Sequence, residues 1–407
     1  MVRHEGGRVL ATLVRLTGDI TIAEDAVQDA VETALRRWPA DGVPDNPGAW
    51  LTTAARRRAL DVLRREAKRS IKEADAVMLD QMTATLQERT EESMVRDDML
   101  RMLFTCCHPA LSMEARVALT LRSLCGLTTV EIARLFLVPD TTMGQRITRA
   151  KQKIAGARIP YRVPADHELP DRLAGVLAVV YAVITAGHHA PDGRLHARSD
   201  LADEGVRLAR LVCELMPAEP ECMGLLALAL VTGARRDARV DAHGELVLLR
   251  DQDRSRWHMA EIHEAAELVD AALRRRRVGP YQLQAAINCL HGLAPSADDT
   301  DWPQIAELYR LLEALSPTPV VRVNRAVAEN EAHGAAAGMV LLDTLDARSL
   351  TEVEQWHLYW STRGELLHRT GDSAGAVSCF DRALTCQPND SDRRFLERRR
   401  AQLLGQR

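Results

Sequence analysis

Residues 128–153 read TTVEIARLFLVPDTTMGQRITRAKQK. The stretch breaks into a helix, a tight turn and a second helix. Thr128 and Glu131 have the T-x-x-E spacing of a capping box, which lets a helix satisfy its own leading amides. Ile132, Leu135 and Phe136 give that helix one apolar face, and Ala133 is small where a second helix must cross closely. Val138-Pro139-Asp140 stops it, because the residue before proline avoids the α region. Asp140 or Thr141 is placed to cap the next helix. There Met143, Ile147 and Ala150 form an inner stripe, while Gln145, Arg146, Thr148, Arg149, Lys151 and Lys153 form a donor-rich outer face. No acidic residue follows until Asp166. A helix with a buried stripe and such a face suits entry into a major groove. A plain hairpin with a solvated basic face would share the local pattern, so the flanking sequence has to decide.

The chain has 407 residues, enough for two or three domains that each bury a core. No apolar run reaches membrane-spanning length; the longest, Val176 to Ala186, is too short, and Met1 is followed by no signal-peptide pattern. The eight cysteines are scattered without paired ligand spacing, which predicts reduced thiols, a cytoplasmic protein and no metal. Cys106-Cys107-His108 reads as buried structure, since adjacent cysteines are awkward ligands and no second pair is near. A net charge of only −4 means that any nucleic-acid binder here must segregate its charges, and the chain does so.

Upstream, Val9–Leu16 predicts a short apolar helix and Thr21–Trp38 a long one. Ala23, Ala26, Val27, Ala30, Val31, Ala34 and Leu35 line one side of the second; Glu24, Asp25, Gln28, Asp29 and Glu32 line another. Pro39–Pro47 is dense in turn residues and reads as a loop. Ala49–Arg69 is again helical. Trp50, Leu51, Ala54, Ala55, Ala59, Leu60 and Leu63 face inward, and Arg56, Arg57, Arg58, Arg64, Arg65, Lys68 and Arg69 make a basic stripe fit for phosphate contacts. Residues 70–96 then turn acidic and read as a partly helical linker. Met99–Cys106 and Met113–Leu124 are helices that support the pair at 128–153.

Three segments in this order, AEDAVQDAVETALRRW, NPGAWLTTAARRRALDVLRRE and RVALTLRSLCGLTTVEIARLFLVPDTTMGQRITRAKQKI, resemble an extracytoplasmic-function (group 4) sigma factor of bacterial RNA polymerase over nearly all of residues 8–156. The resemblance implies an all-α protein that is not an enzyme, with a σ2 domain at 1–69, an acidic linker at 70–96 and a helix-turn-helix σ4 domain at 97–156. It implies two partners, core RNA polymerase (β′ clamp helices and β flap) and promoter DNA, and no cofactor. Asp25, Gln28 and Asp29 would bind the polymerase. Trp50, Arg56, Arg57, Arg64 and Arg65 would open and read the −10 element. Thr142, Gln145, Arg146, Arg149 and Lys153 would face the −35 element.

A minimal member of that group ends near Gly156, whereas this chain continues. A proline-containing linker at 157–170 leads into helices expected at Asp171–Gly187, Leu201–Leu215, Glu221–Thr232, Arg256–Arg277, Tyr281–Leu293, Trp302–Leu315 and Pro319–Ala332. A small β-hairpin is expected near 238–249, where VDAHGELVLL alternates around a glycine. From Trp360 onward, Gly364, Gly371-Asp372, Ala376, Phe380, Ala383-Leu384 and Pro388-Asn389 follow the tetratricopeptide pattern at its own spacing. One such repeat cannot bury its face alone, so residues 171–407 should stack helical hairpins and offer a surface for a protein partner. AEPECMGLLALAL, ARRDARVDAHGELVLLRDQDRSRW, GPYQLQAAI and TDWPQIAELYRLLEALSPTPVVRVNRAVA, with that repeat, resemble the carboxy-terminal extension of the sigma-factor family called ECF42. Two other classes fit parts of the pattern: a helix-turn-helix regulator with an interaction solenoid, and a ligand-sensing or enzymatic second half. For the latter, the polar cluster Asp251, Asp253, Arg254, Arg256, Trp257 and His258 is better explained by ion pairs anchoring helices, and no nucleotide-binding or zinc-protease signature occurs.

Overall fold

A computed structural model describes residues 2–69, 92–136, 138–188, 195–239, 241, 247–345, 353–386, 388 and 390–405. Among the described residues there are eighteen α-helices and no strand. The chain divides into two compact units, Met1–Val183 and Ile184–Arg407.

The first unit opens with α1 (Val2–Thr17), α2 (Ile20–Asp41) and α3 (Pro47–Arg69). Alanines at 23, 26, 30 and 34 form the buried stripe of α2. Side chains this small let α1 and α3 approach closely, and Leu10, Leu13, Val14 and Leu51 fill the space between. Asp19 caps α2 by accepting from the amides of Thr21 and Ile22. The expected loop is shorter than its turn residues suggest. Helix α2 continues through Pro39 to Asp41 and ends on Gly42 at φ 83°, and Pro47 starts α3. Proline costs little here because the carbonyl it orphans belongs to Leu35, on the solvent side of the last turns; Leu35, expected on the packed side, is 63% exposed. Helix α1 also begins earlier than expected. A Cβ at Gly7 would come within 2.8 Å of the Leu124 carbonyl oxygen, so packing asks for glycine there.

Four helices follow: α4 (Glu92–Cys106), α5 (Met113–Ser123), α6 (Thr129–Leu135) and α7 (Asp140–Gly156). Residues 70–91 of the acidic linker lie outside the described residues. Met102, Leu103, Phe104, Leu119, Leu121, Ile132 and Met143 form the core of this part. Cys106 and Cys107 are buried within it; the Cys107 sulfur lies 3.5 Å from the Thr120 hydroxyl, and burial pushes its thiol up to about 11. No group of three or more His, Cys, Asp or Glu side chains able to hold a metal occurs among the described residues.

The two helical groups of this unit are fastened to each other. Asp98, near the middle of α4, is fully buried and accepts from Arg15 of α1 at 3.0 Å and from Arg101 at 2.8 Å. Tyr161, beyond α7, sets its hydroxyl 2.7 Å from the Ala11 carbonyl and 3.0 Å from that of Asp98. Burial first, then the Asp98 charge, pushes the Tyr161 phenol far above its ordinary value, so it stays a hydrogen-bond donor. Helix α8 (Leu169–His188) begins in the same unit, where Arg172 donates to the Phe104 carbonyl at 2.6 Å.

The second unit comprises α9 (Leu195–Leu215), α10 (Pro220–Gly233), α11 (Met259–Leu273), α12 (Pro280–Leu293), α13 (Trp302–Leu315), α14 (Pro319–His333), α15 (Ala335–Asp343), α16 (His357–Arg369), α17 (Ser373–Thr385) and α18 (Asp390–Gly405). Its core is a succession of small local ones. Leu283, Ile287, Ile305 and Leu312 cluster across α12 and α13. Val323, Leu342, Tyr359 and Leu366 join α14, α15 and α16. Phe380, Leu396 and Leu403 close the end. The α16–α17 hairpin needs its glycines. Gly371 turns at φ 91°, and a Cβ at Gly364 would meet the Phe380 ring at 2.9 Å. The helix expected over 256–277 is shorter: a 3-10 turn at Arg254–Arg256 precedes α11, and Arg276 reverses the chain at φ 55°. Much of the expected hairpin, residues 240 and 242–246, lies outside the described residues. Its flanks are 3-10 turns at Arg236–Ala238 and Leu249–Asp251, bridged by the Val247 amide to the Arg239 carbonyl at 2.9 Å.

Removing the Asp98 carboxylate leaves two guanidinium groups without their shared acceptor. Asp98→Ala is expected to destabilise the first unit by about 2–4 kcal/mol, below the full value for a dry ion pair because both arginines reach solvent. A lowered first transition in thermal unfolding followed by circular dichroism checks this; an unchanged transition refutes it.

Candidate nucleic-acid interface

Helix α6 carries the capping box its sequence requires. The Thr128 amide donates to Glu131 at 2.7 Å, and the Glu131 amide donates to the Thr128 hydroxyl at 3.2 Å. Helix α7 begins differently from expectation. Asp140 is its first helical residue, Pro139 precedes it, and no side chain caps it. Asp140 instead places a carboxylate in the first turn, where the helix dipole favours negative charge. Met143, Ile147, Ala150 and Ile154 are buried, which fixes the rotation of α7 and turns the opposite face outward.

On that outer face Thr142, Gln145, Arg149 and Lys153 are exposed and Arg146 is half-buried. Spacings of three and four residues put all five on one stripe. An open cleft of about 580 Å³ runs beside it, lined by Thr141, Gly144, Gln145, Thr148, Arg149 and Gln152. Donor side chains at this spacing can reach base edges, while the cationic ones also offer phosphate contacts. Thr148 appears in the sequence pattern; Gln152 was missed because an uncharged residue at the end of a basic run carries no distinct signal.

The stripe on α3 is less uniform. Arg57, Arg64 and Arg65 are exposed and share a helical side with Trp50. Trp50 is half-buried and stands edge-on to Trp38, with ring centroids 5.5 Å apart. Arg56 points elsewhere: it is half-buried, and burial, then the nearby Arg15 charge, lowers its guanidinium below the ordinary value. On α2, Asp25 and Gln28 are exposed and Asp29 is half-buried. Asp29 is not a free carboxylate, because it pairs with Arg58 of α3. Gln28 reaches Glu32 at 3.4 Å.

One contact links the two surfaces. Lys151, on the flank of α7, donates to Glu24 of α2 at 2.5 Å, with Arg122 at 3.9 Å from the same oxygen. Glu24 and Lys151 each look like ordinary members of a charged face, and a pairing 127 residues apart leaves no local trace.

Comparison with known proteins defines the class. Residues 1–69 match the model for sigma-70 region 2, and residues 101–154 match that for sigma-70, region 4. These two regions are those of a non-enzymatic transcription initiation factor, a sigma factor, whose partners are core RNA polymerase and promoter DNA. Residues 172–273 match a family of unknown function, DUF6596. The particular family follows from a whole-length relative. The chain is 40% identical over 391 residues to "Uncharacterized protein R00370" of Rhizobium meliloti (strain 1021), covering 96% of this chain and 92% of that protein, and it belongs to the same family. It is also 30% identical over 160 residues to "Probable ECF RNA polymerase sigma factor SigI" of Mycobacterium tuberculosis, covering 39% of this chain and 54% of that one. No helix among the described residues is long and apolar enough to cross a membrane.

Arg149→Ala is expected to weaken recognition of a cognate −35 element by about 1–3 kcal/mol if the side chain reads a base edge. Binding of polymerase holoenzyme to templates that differ only at that element measures this. A loss equal on all templates, with a smaller salt slope, would make Arg149 a phosphate contact instead.

Proposed function

We propose that the chain is an extracytoplasmic-function sigma factor of the ECF42 type that joins core RNA polymerase and directs promoter recognition and transcription initiation from the cytoplasm. The observation that carries the reading is the presence of both sigma-70 regions in one chain, with the donor stripe of α7 turned to solvent. In this reading Asp25, Gln28 and Asp29 meet the β′ clamp helices and region 4 sits at the β flap. Trp50, Arg57, Arg64 and Arg65 engage the −10 element, with Arg56 supporting them. Thr142, Gln145, Arg146, Arg149 and Lys153 engage the −35 element. Residues 171–407 form a tetratricopeptide-like module that modulates activity and takes a protein partner.

Run-off transcription with purified core polymerase tests the proposal. A promoter-specific transcript is expected only when both the chain and core are present. Tight binding to duplex promoter without core, together with no transcript when core is added, would favour a helix-turn-helix regulator over a sigma factor.

The reading also requires a rearrangement. Two promoter elements named −10 and −35 lie about two and a half turns of duplex apart, roughly 85 Å. Glu24 of region 2 and Lys151 of region 4 stand in direct contact, so the regions must separate before both elements are held. Tyr161→Phe removes a bond worth about 1 kcal/mol from the closed form. If that form dominates in the free protein, apparent affinity for core should rise about fivefold. Titration of labelled chain with core polymerase checks this, and unchanged or weaker binding would refute a closed resting state held by Tyr161.

A further inference from the structure

The second unit contains no lysine, and its carboxylates outnumber its arginines. Against that background residues 274–277 are four consecutive arginines. They form the turn between α11 and α12, and all four are exposed. The backbone fixes this turn. The amides of Arg274, Arg275 and Arg276 donate to the carbonyls of Asp270, Ala272 and Leu273 at 3.1, 3.0 and 3.0 Å, and Arg276 then reverses the chain at φ 55°. A left-handed backbone is ordinarily given to Gly or Asn, so turn geometry does not explain an arginine at 276.

Two of the four side chains hold the turn in place. Arg275 donates to the Pro217 carbonyl, and Arg277 donates to the Ala218 carbonyl at 2.8 Å. These bonds tie the turn to the segment that leads into α10. Glu219, 3.4 Å from Arg277, is the one carboxylate within ion-pair distance of the four among the described residues. Arg274 and Arg276 make no hydrogen bond or ion pair through their side chains with any described residue, and Asp270, one helical turn before Arg274, does not pair with it. The arginine run at 398–400 shows the contrast: Arg399 grips both oxygens of Glu365, and Arg400 pairs with Asp381. The helix dipole favours a cation near the end of α11, but none of the four guanidinium groups bonds a carbonyl of that helix. What remains is a solvent-facing cationic edge, anchored at two side chains and unpaired at the other two.

We propose that this turn grips the phosphate backbone of duplex DNA beside the promoter, with Arg274 and Arg276 on phosphate oxygens and Arg275 and Arg277 bracing the turn behind them. A guanidinium fork donates two parallel N–H bonds to a phosphate. Duplex DNA offers one charge per about 1.7 Å of its axis, so adjacent guanidinium groups find partners at any register. A protein surface would have to supply acidic groups at matching spacing. The second unit follows region 4 in the same chain, so a duplex held at the −35 element meets the turn at high effective concentration. The contact adds affinity and reads no sequence. Which duplex is held rests on the sigma-factor reading; that the turn binds phosphate does not.

The test titrates the full-length chain, without polymerase, against a labelled duplex of arbitrary sequence in fluorescence anisotropy over a range of salt concentrations. One double variant combines Arg274→Gln with Arg276→Asn, which removes both charges and leaves at 276 a residue that accepts a left-handed backbone. A second combines Arg274→Lys with Arg276→Lys and keeps the charges. Each phosphate contact contributes about 0.9 to the slope of log affinity against log salt, so the neutral variant is expected to lose about 1.8 from the slope and to bind about tenfold or more weakly at low salt. The lysine variant is expected to keep the parent slope; a loss through misfolding would appear in it as well. An unchanged slope in the neutral variant, an equal loss in the lysine variant, or no duplex binding by the parent at low salt would each overturn the proposal. Because no polymerase is present, a chain that shows the slope change but gives no run-off transcript with core would defeat the sigma-factor reading and leave this inference standing.

Discussion

A single buried carboxylate holds the first half of this protein in the form described. Asp98 has no exposure to water, yet it lies at the joint between two helical groups that are linked by sequence only through a long acidic segment. A charge in that position is tolerable only with its counter-charges in place, because burying an unpaired carboxylate is far costlier than the pairing is favourable. Arg15 from one group and Arg101 from the other supply them. The main chain at Asp98 also receives the Tyr161 hydroxyl, which in the same step bonds α1. Three segments of chain therefore share one polar knot. The Glu24–Lys151 pair is a second, more exposed fastening at a distance from it.

This arrangement separates strength from specificity. The cores of the two regions rest on apolar packing, the alanine stripe of α2 and the Leu-rich interior around Phe104. The contact between the regions adds these polar links. The second unit is built on another principle. Each of its local cores joins only neighbouring helices, so its stability is close to a sum of nearest-neighbour terms.

Local chemistry was readable in the sequence. The Thr128–Glu131 box, the inward set Met143, Ile147 and Ala150, and the Gly364 and Gly371 positions of the last hairpin all follow from residue type and spacing. The stripe on α7 was legible for the same reason: a 3.6-residue repeat dictates which side chains travel together. Errors arose where context reversed a local preference. Pro39 looked like a helix stop, but it sits where the orphaned carbonyl faces water. The first helix was expected from Val9, yet it starts at Val2, and Gly7 within it meets the backbone of residue 124. Asp98 was hidden inside a run of acidic residues whose usual fate is solvation, and Tyr161 lay in a segment that read as a linker. Their partners are 83 and 150 residues away, and spacing patterns carry no information at that range.

The Trp38–Trp50 pair has an optical consequence. The chain has six tryptophans, and the other four, at 257, 302, 356 and 360, belong to the second unit. The two in the first unit stand edge-to-face across the turn between α2 and α3. Indole emission depends on local polarity and on neighbouring rings, and the tryptophan emission of the first unit originates at this hairpin. Any event that parts the rings, or stacks a nucleobase against one of them, alters that emission without an added label. The protein thus carries a built-in probe at the hairpin that the proposed function assigns to the −10 element.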